Sequence, residues 1–179
     1  GSDPVHKITI VPRGRSLGLT AYLPTEEKHS QKKSELKAKL VAMLGGLAAE
    51  KLVLGDTGTG VGNDLQRVTQ IAKRMICEFG MSDRLGPRTF GDNRNNLTMG
   101  RGETGNEGRD YGEDVAQIID EEVRALVDEA YERAEAIISE HRDVLDALTK
   151  ALVERETVDA EEFQMMIAGK ELPPLDLPS

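Results

Sequence analysis

Two carboxylates, Glu50 and Asp64, stand at the facing ends of two segments with helical apolar spacing, and the stretch between them, GDTGTGVG over 55–62, holds four glycines. Glycine permits positive φ and close backbone approach, so this loop can turn sharply beside a helix N-terminus and bring both carboxylates to one place. A phosphate cradle is the first chemistry such a loop invites. The spacing fits neither G-x-x-x-x-G-K-[ST] nor G-x-G-x-x-G, and no strand pattern runs straight into it, so that reading is rejected. Asn63 with Gln66 three residues on reads as a capping box, and an acid at Asp64 favours the helix dipole; spacing alone gives Asp64 a role in starting the helix. For Glu50, spacing leaves an exposed helix carboxylate and a cavity-wall position equally open. The three histidines, His6, His29 and His141, each lack a second histidine four residues away, so none forms a helical metal-ligand pair.

The elements that must position these residues follow from periodicity. Leu36, Leu40, Val41, Leu44, Leu47 and Ala48 predict a helix from about Ser34 to Leu54. Gly45-Gly46 inside it costs about 1 kcal/mol each against Ala, which points to close packing or backbone approach there. Leu65, Val68, Ala72, Met75, Ile76 and Phe79 predict a second helix opening at Asn63-Asp64, with Gly80 just past its end. Before them, Val5 to Val11 and Leu17 to Leu23 read as two short strands joined by a Pro12 to Arg15 turn, a small hairpin in which His6 is a strand residue at a polar edge. Pro24 to Ser34, which contains His29, reads as a polar loop, and Gly91 to Gly108 as a mobile surface loop, lid or subunit contact. The longest helix is expected from Gly112 to Glu140. A break at His141-Arg142 follows, then a helix bearing Val144, Leu145, Leu148, Leu152 and Val153. Asp159 with Glu162 forms a further capping box, opening a short helix with Phe163, Met166 and Ile167 that Gly169 ends. The fold class is therefore mainly α, a helical bundle-like domain with a small N-terminal β-hairpin.

Bulk properties narrow the function. A net charge of −9 argues against binding the phosphate backbone of nucleic acid. Cys77 is the single cysteine and reads as a core thiol, so there is no disulfide framework and a reducing compartment is expected. No apolar run is long enough to span a bilayer, so no membrane contact is expected of this segment itself.

Seven collinear stretches carry a resemblance: DPVHKITIVPRG at 3–14, LGLTAYLP at 17–24, GGLAAE at 45–50, GTGVGNDL at 58–65, GMSDRLG at 80–86, DYGE at 110–113 and ETVDAEEF at 156–163. Together they resemble the peptidase domain of FtsH-type proteases, membrane-anchored, ATP-dependent zinc metalloproteases that work as hexamers. The resemblance implies a metalloprotease domain over 3–171, after Gly1-Ser2 read as a cloning scar and before a Pro-rich, disordered tail at 172–179. It makes Asp64, the Asp of the family's N-D-[LI] motif, the third zinc ligand, and places Glu50 in the surroundings of the metal or at the cavity wall. Gly18, Leu19 and Thr20 fall on the strand beside the zinc site, whose edge would take an extended peptide.

The family's two histidine ligands and catalytic Glu come from an H-E-x-G-H helix just before the equivalent of Asp3. The resemblance therefore implies a chain truncated after that helix, with no catalytic residue of its own, inactive alone and not retaining zinc. ATP and Mg belong to an AAA+ module absent here, since there is no Walker A sequence. The implied partners are unfolded polypeptide substrates and the other subunits of a homo-hexamer. The implied location is a bacterial inner membrane, or a mitochondrial or chloroplast membrane, with this domain on the cytoplasmic side in bacteria. Three positions depart from the family pattern: Leu47 stands for Arg, Gly58 for the first Thr of the T-T-G-A loop, and Val61-Gly62 for smaller residues such as Ala-Ala. The alternative is a non-catalytic oligomerisation or adaptor module that kept the fold.

Overall fold

A computed structural model describes residues 4–12, 18–22, 30–91 and 111–174. The chain divides into two compact units, residues 1–30 with 136–179, and residues 31–135.

In the second unit, α1 (Lys33–Leu54) and α2 (Gly62–Cys77) pack together, and most of α3 (Glu113–Glu140) belongs to the same unit. The buried residues of α1 are Leu36, Leu40, Leu44 and Ala48, spaced four apart on one stripe. They are matched by Val68, Ala72, Met75 and Ile76 on α2 and by Ile119, Val123, Ala130 and Ala134 on α3. Leu40, Val68 and Met75 are wholly buried, each contributing about 1.5–3 kcal/mol by area removed from water. Leu65 and Phe79, expected on the buried face of α2, are instead 37% and 45% exposed: Leu65 stands in the helix's first turn, and Phe79 lies two residues past its end at Cys77. Cys77 is half-buried rather than in the core.

Helix ends explain where the loop between α1 and α2 begins. Gly55 adopts φ 70° and its N–H donates to the Lys51 carbonyl at 3.0 Å, a left-handed stop that a residue with a Cβ would strain. A 3₁₀ turn at Thr59–Val61 then leads directly into α2. The capping box expected at Asn63 and Gln66 is not formed: α2 starts two residues earlier than that cap requires, at Gly62, with Val61 as its N-cap and no side-chain cap. The 3₁₀ turn already holds the backbone helical before Asn63, leaving that side chain no terminus to cap. Nor do Gly45 and Gly46 mark close packing, since a Cβ at either meets nothing within 4 Å among the described residues.

The first unit is built on a three-stranded antiparallel sheet in the order β2-β1-β3, with β1 at Val5–Thr9, β2 at Leu19–Tyr22 and β3 at Thr157–Asp159. The expected hairpin is present, with Lys7 opposite Ala21, Ile8 opposite Thr20 and a bulge between Val5 and Lys7. The third strand was not expected: Ile8 also faces Val158, which is wholly buried. Beneath lie α4 (Arg142–Arg155) and α5 (Ala160–Ile167), with Ala151, Val158 and Met166 as a core against which Leu148, Leu152, Phe163 and Leu172 pack. The capping box at the start of α5 is formed: the Glu162 N–H donates to Asp159 Oδ1 at 2.9 Å and the Asp159 N–H to Glu162 Oε2 at 3.1 Å. His141 is the single-residue break between α3 and α4.

The tail, expected to be disordered from Leu172, is docked at its start. Leu172 packs on the small core, and the Pro173 carbonyl accepts a hydrogen bond from the Arg155 guanidinium. Residues 175–179 lie outside the described residues, as do His29, the hairpin turn at 13–17 and nearly all of the loop assigned to Gly91–Gly108.

Candidate metal centre

The loop between α1 and α2 delivers both carboxylates from the same unit. Glu50 lies one turn before the end of α1. Asp64 is in the first turn of α2, where the helix's unsatisfied N–H groups favour a negative charge. Its carboxylate is solvent-exposed and makes no hydrogen bond or ion pair with the described residues. A carboxylate thus stands exposed at a helix start, without a partner among the described residues.

Glu50 is different in kind. The residue is partly buried, and its Oε2 is shut off from solvent without a hydrogen-bond partner. A buried carboxylate oxygen left in that state costs about 1–3 kcal/mol or more, so its placement calls for an explanation. Its other oxygen lies against the loop: a Cβ built on Gly58 would stand 2.9 Å from Glu50 Oε1.

Gly18, Leu19 and Thr20 belong to the other unit. Leu19 and Thr20 open β2, the strand at one edge of the sheet, and Leu19 is 45% exposed. Gly18 precedes it where a Cβ would come within 2.9 Å of the Thr9 carbonyl oxygen, so only glycine lets the strand begin so close to β1. His6 on β1 and His141 are both exposed.

A structural or catalytic zinc centre takes at least three protein donors. Among the described residues no group of three or more His, Cys, Asp or Glu side chains is placed to hold a metal ion. Asp64 fits one position of such a shell; the described residues do not make the whole of it. Sequence reasoning singled out both carboxylates. It missed how near the Glu50 carboxylate stands to the loop at Gly58, because residue spacing carries no signal for it.

The model of peptidase family M41 matches residues 1–166. The chain belongs to that family. It is 45% identical over 174 residues to "ATP-dependent zinc metalloprotease FtsH" of Acidobacterium capsulatum, covering 97% of this chain and 27% of that protein. It is 46% identical to the protein of the same name from Magnetococcus marinus, over 95% of this chain and 25% of the relative. With "ATP-dependent zinc metalloprotease FtsH 2" of Alkaliphilus metalliredigens the identity is 47%, over 94% of this chain and 24% of the relative. The M41 chain thus spans about a quarter of the length of the curated relatives it matches, and the matched part is FtsH-type peptidase-domain sequence.

Proposed function

We propose that this chain is the C-terminal part of the peptidase domain of an ATP-dependent zinc metalloendopeptidase that degrades unfolded or membrane proteins, and that Asp64 is a zinc ligand in it. The observation that carries the reading is the match of the M41 model from residue 1 to 166, with Asp64 exposed in the first turn of α2. Zinc, when bound, supplies a Lewis acid and a water acidified toward neutrality. Asp64 gives it a fixed anionic donor, and Glu50 stands in its surroundings. Two histidines and a catalytic Glu are supplied by a segment outside this sequence. The exposed edge of β2 offers the main-chain groups of Leu19 and Thr20 to an extended peptide, a mode of recognition that suits loose sequence preference.

On the same reading the parent protein is a membrane-anchored hexamer with its ATPase module elsewhere, in bacteria at the inner membrane with this domain in the cytoplasm. Alone, this chain neither cleaves peptide nor holds zinc tightly. The test is zinc content per protomer and hydrolysis of an unfolded protein by the full-length enzyme and its Asp64→Asn variant. The variant is expected to lose most of its zinc and at least 100-fold in hydrolysis. Unchanged zinc content would rule out the ligand assignment. A full-length sequence with no histidine pair upstream would turn the reading to a non-catalytic assembly module.

A further inference from the structure

We propose that the first unit contains a seat for an extended Leu-Pro-Pro segment, that the chain fills this seat with its own residues 172–174, and that the strap so formed, clasped by Arg155, steadies the three-stranded sheet. The proposal is independent of the metal reading given above, since every residue it uses lies in the unit that does not hold Asp64.

The end of α5 aims the strap. Gly169 adopts φ 67°, its N–H donates to the Met166 carbonyl at 3.0 Å, and the Lys170 N–H reaches back to the Met165 carbonyl at 2.9 Å. This paired left-handed stop turns the chain out of the helix. Beyond it, Leu172 packs on the core of Ala151, Val158 and Met166. Pro173 and Pro174 carry no backbone N–H, so no donor there is left needing a partner, and their fixed φ lowers the entropy lost on docking. The carbonyl that remains at Pro173 is the one Arg155 takes.

Arg155 holds two partners at once. It stands in the last turn of α4 with its side chain only 12% exposed; Nη1 donates to Glu162 Oε1 at 3.0 Å and Nη2 to the Pro173 carbonyl. Glu162 is itself fixed, because its other oxygen accepts from the Asp159 N–H in the capping box of α5. A planar guanidinium fork serves acceptors in two directions, and a lysine ammonium does not reproduce that spread. The sheet begins at the next residue. The Glu156 carbonyl accepts from the Ile10 N–H and the Thr9 hydroxyl, both at 3.0 Å. Val158, wholly buried in the core on which Leu172 packs, faces Ile8 on β1. Releasing the strap therefore uncovers the core at Val158 and loosens Arg155 beside Glu156, the two points at which β3 holds β1.

Amide hydrogen exchange tests the seat, in this chain and in a variant lacking residues 172–179, each with and without the peptide KELPPLDLPS, its own residues 170–179, added in trans. Removal is expected to speed exchange of the Ile10 amide about ten-fold or more and to leave the amides of α1 and α2 within about two-fold. The peptide is expected to restore slow exchange in the shortened chain, half-complete at roughly millimolar concentration, the level a short tether supplies. The same peptide carrying Leu172→Ser should restore nothing, and the intact chain, its seat filled, should not respond to either. Arg155→Lys in the intact chain is expected to speed Ile10 exchange about three- to ten-fold, and by less once the strap is gone. Ile10 exchange unchanged by the removal would show that the strap bears no load, and faster exchange that the peptide does not reverse would show that these residues act without a seat. An equal effect of Arg155→Lys with and without the strap would remove Arg155 from the clasp. Should the shortened chain fail to fold, Leu172→Ala in the intact chain decides: faster Ile10 exchange is expected, and an unchanged rate overturns the proposal.

Discussion

Ser82 shows how much one hydroxyl can hold. It is 3% exposed, and its Oγ donates to Glu122 Oε2 at 2.8 Å while accepting from the Leu85 N–H at 3.2 Å, so a single atom ties the turn after α2 to α3. Ser82→Ala leaves a buried N–H without a partner and is expected to cost about 1–3 kcal/mol, read from urea unfolding; a loss under about 0.5 kcal/mol would mean that water replaces the hydroxyl. Beside it, Arg84 reaches Glu121 at 2.9 Å and Glu122 at 3.6 Å. The hydrogen bond from Arg84, then that from Gln117, holds the Glu121 carboxyl below its ordinary value of 4.5. With the folded value depressed, the contribution of this contact is present above pH 4.5 and is lost as pH falls through the folded value. It is small, because both partners are exposed and screened. An NMR titration should find Glu121 below the ordinary range and find it restored in Arg84→Gln; a midpoint that does not move between the two would refute the assignment. At this scale the sequence was legible where one residue type has one use, as with the acid at a helix start. Ser82 stayed hidden because its partner lies 40 residues away.

At the scale of elements, the extent of α1 was read nearly to the residue, expected from Ser34 to Leu54 and running from Lys33 to Leu54, whereas Val153 of α4 and Ile167 of α5, expected on apolar faces, are 73% and 53% exposed. The capping box at Asp159 was legible for the same reason, since cap chemistry is local. Where local rules misled, a neighbouring element had taken over. The 3₁₀ turn before α2 made a cap at Asn63 unnecessary, and the pair Gly45-Gly46, read as a sign of close approach, meets nothing within 4 Å among the described residues. That second finding has a consequence for stability. With no atom within 4 Å of an added Cβ and ordinary helical backbone, Gly46→Ala should stabilise the chain by about 1 kcal/mol through helix propensity alone. Chemical denaturation measures it. A destabilisation instead would show that something does pack closely on α1 at that point.

At the largest scale, the first unit joins segments from far apart in the chain. Thr9 on β1 donates its hydroxyl to the Glu156 carbonyl at 3.0 Å, 147 residues on, and the same oxygen accepts from the Thr157 hydroxyl at 2.8 Å and the Val11 N–H at 3.1 Å. The Ile10 N–H donates to the same Glu156 carbonyl at 3.0 Å. β3 thereby supports a hairpin that would otherwise be two strands, and an isolated two-stranded hairpin is marginal in water. Such a pairing leaves no periodic trace in sequence: β3 is three residues long, and nothing in Thr157-Val158-Asp159 names its partner. The consequence is testable by deletion of residues 156–179, which removes β3, α5 and the docked Leu172 together. In amide hydrogen exchange, the protection of Ile10 and of the β1 amides should fall to that of a fraying hairpin. The amides of α1 and α2, whose cores at Leu40 and Met75 are formed within the other unit, should keep most of theirs. If β1 stays protected after the deletion, β3 contributes nothing to the sheet. If α1 and α2 lose protection with it, the two units unfold as one cooperative body.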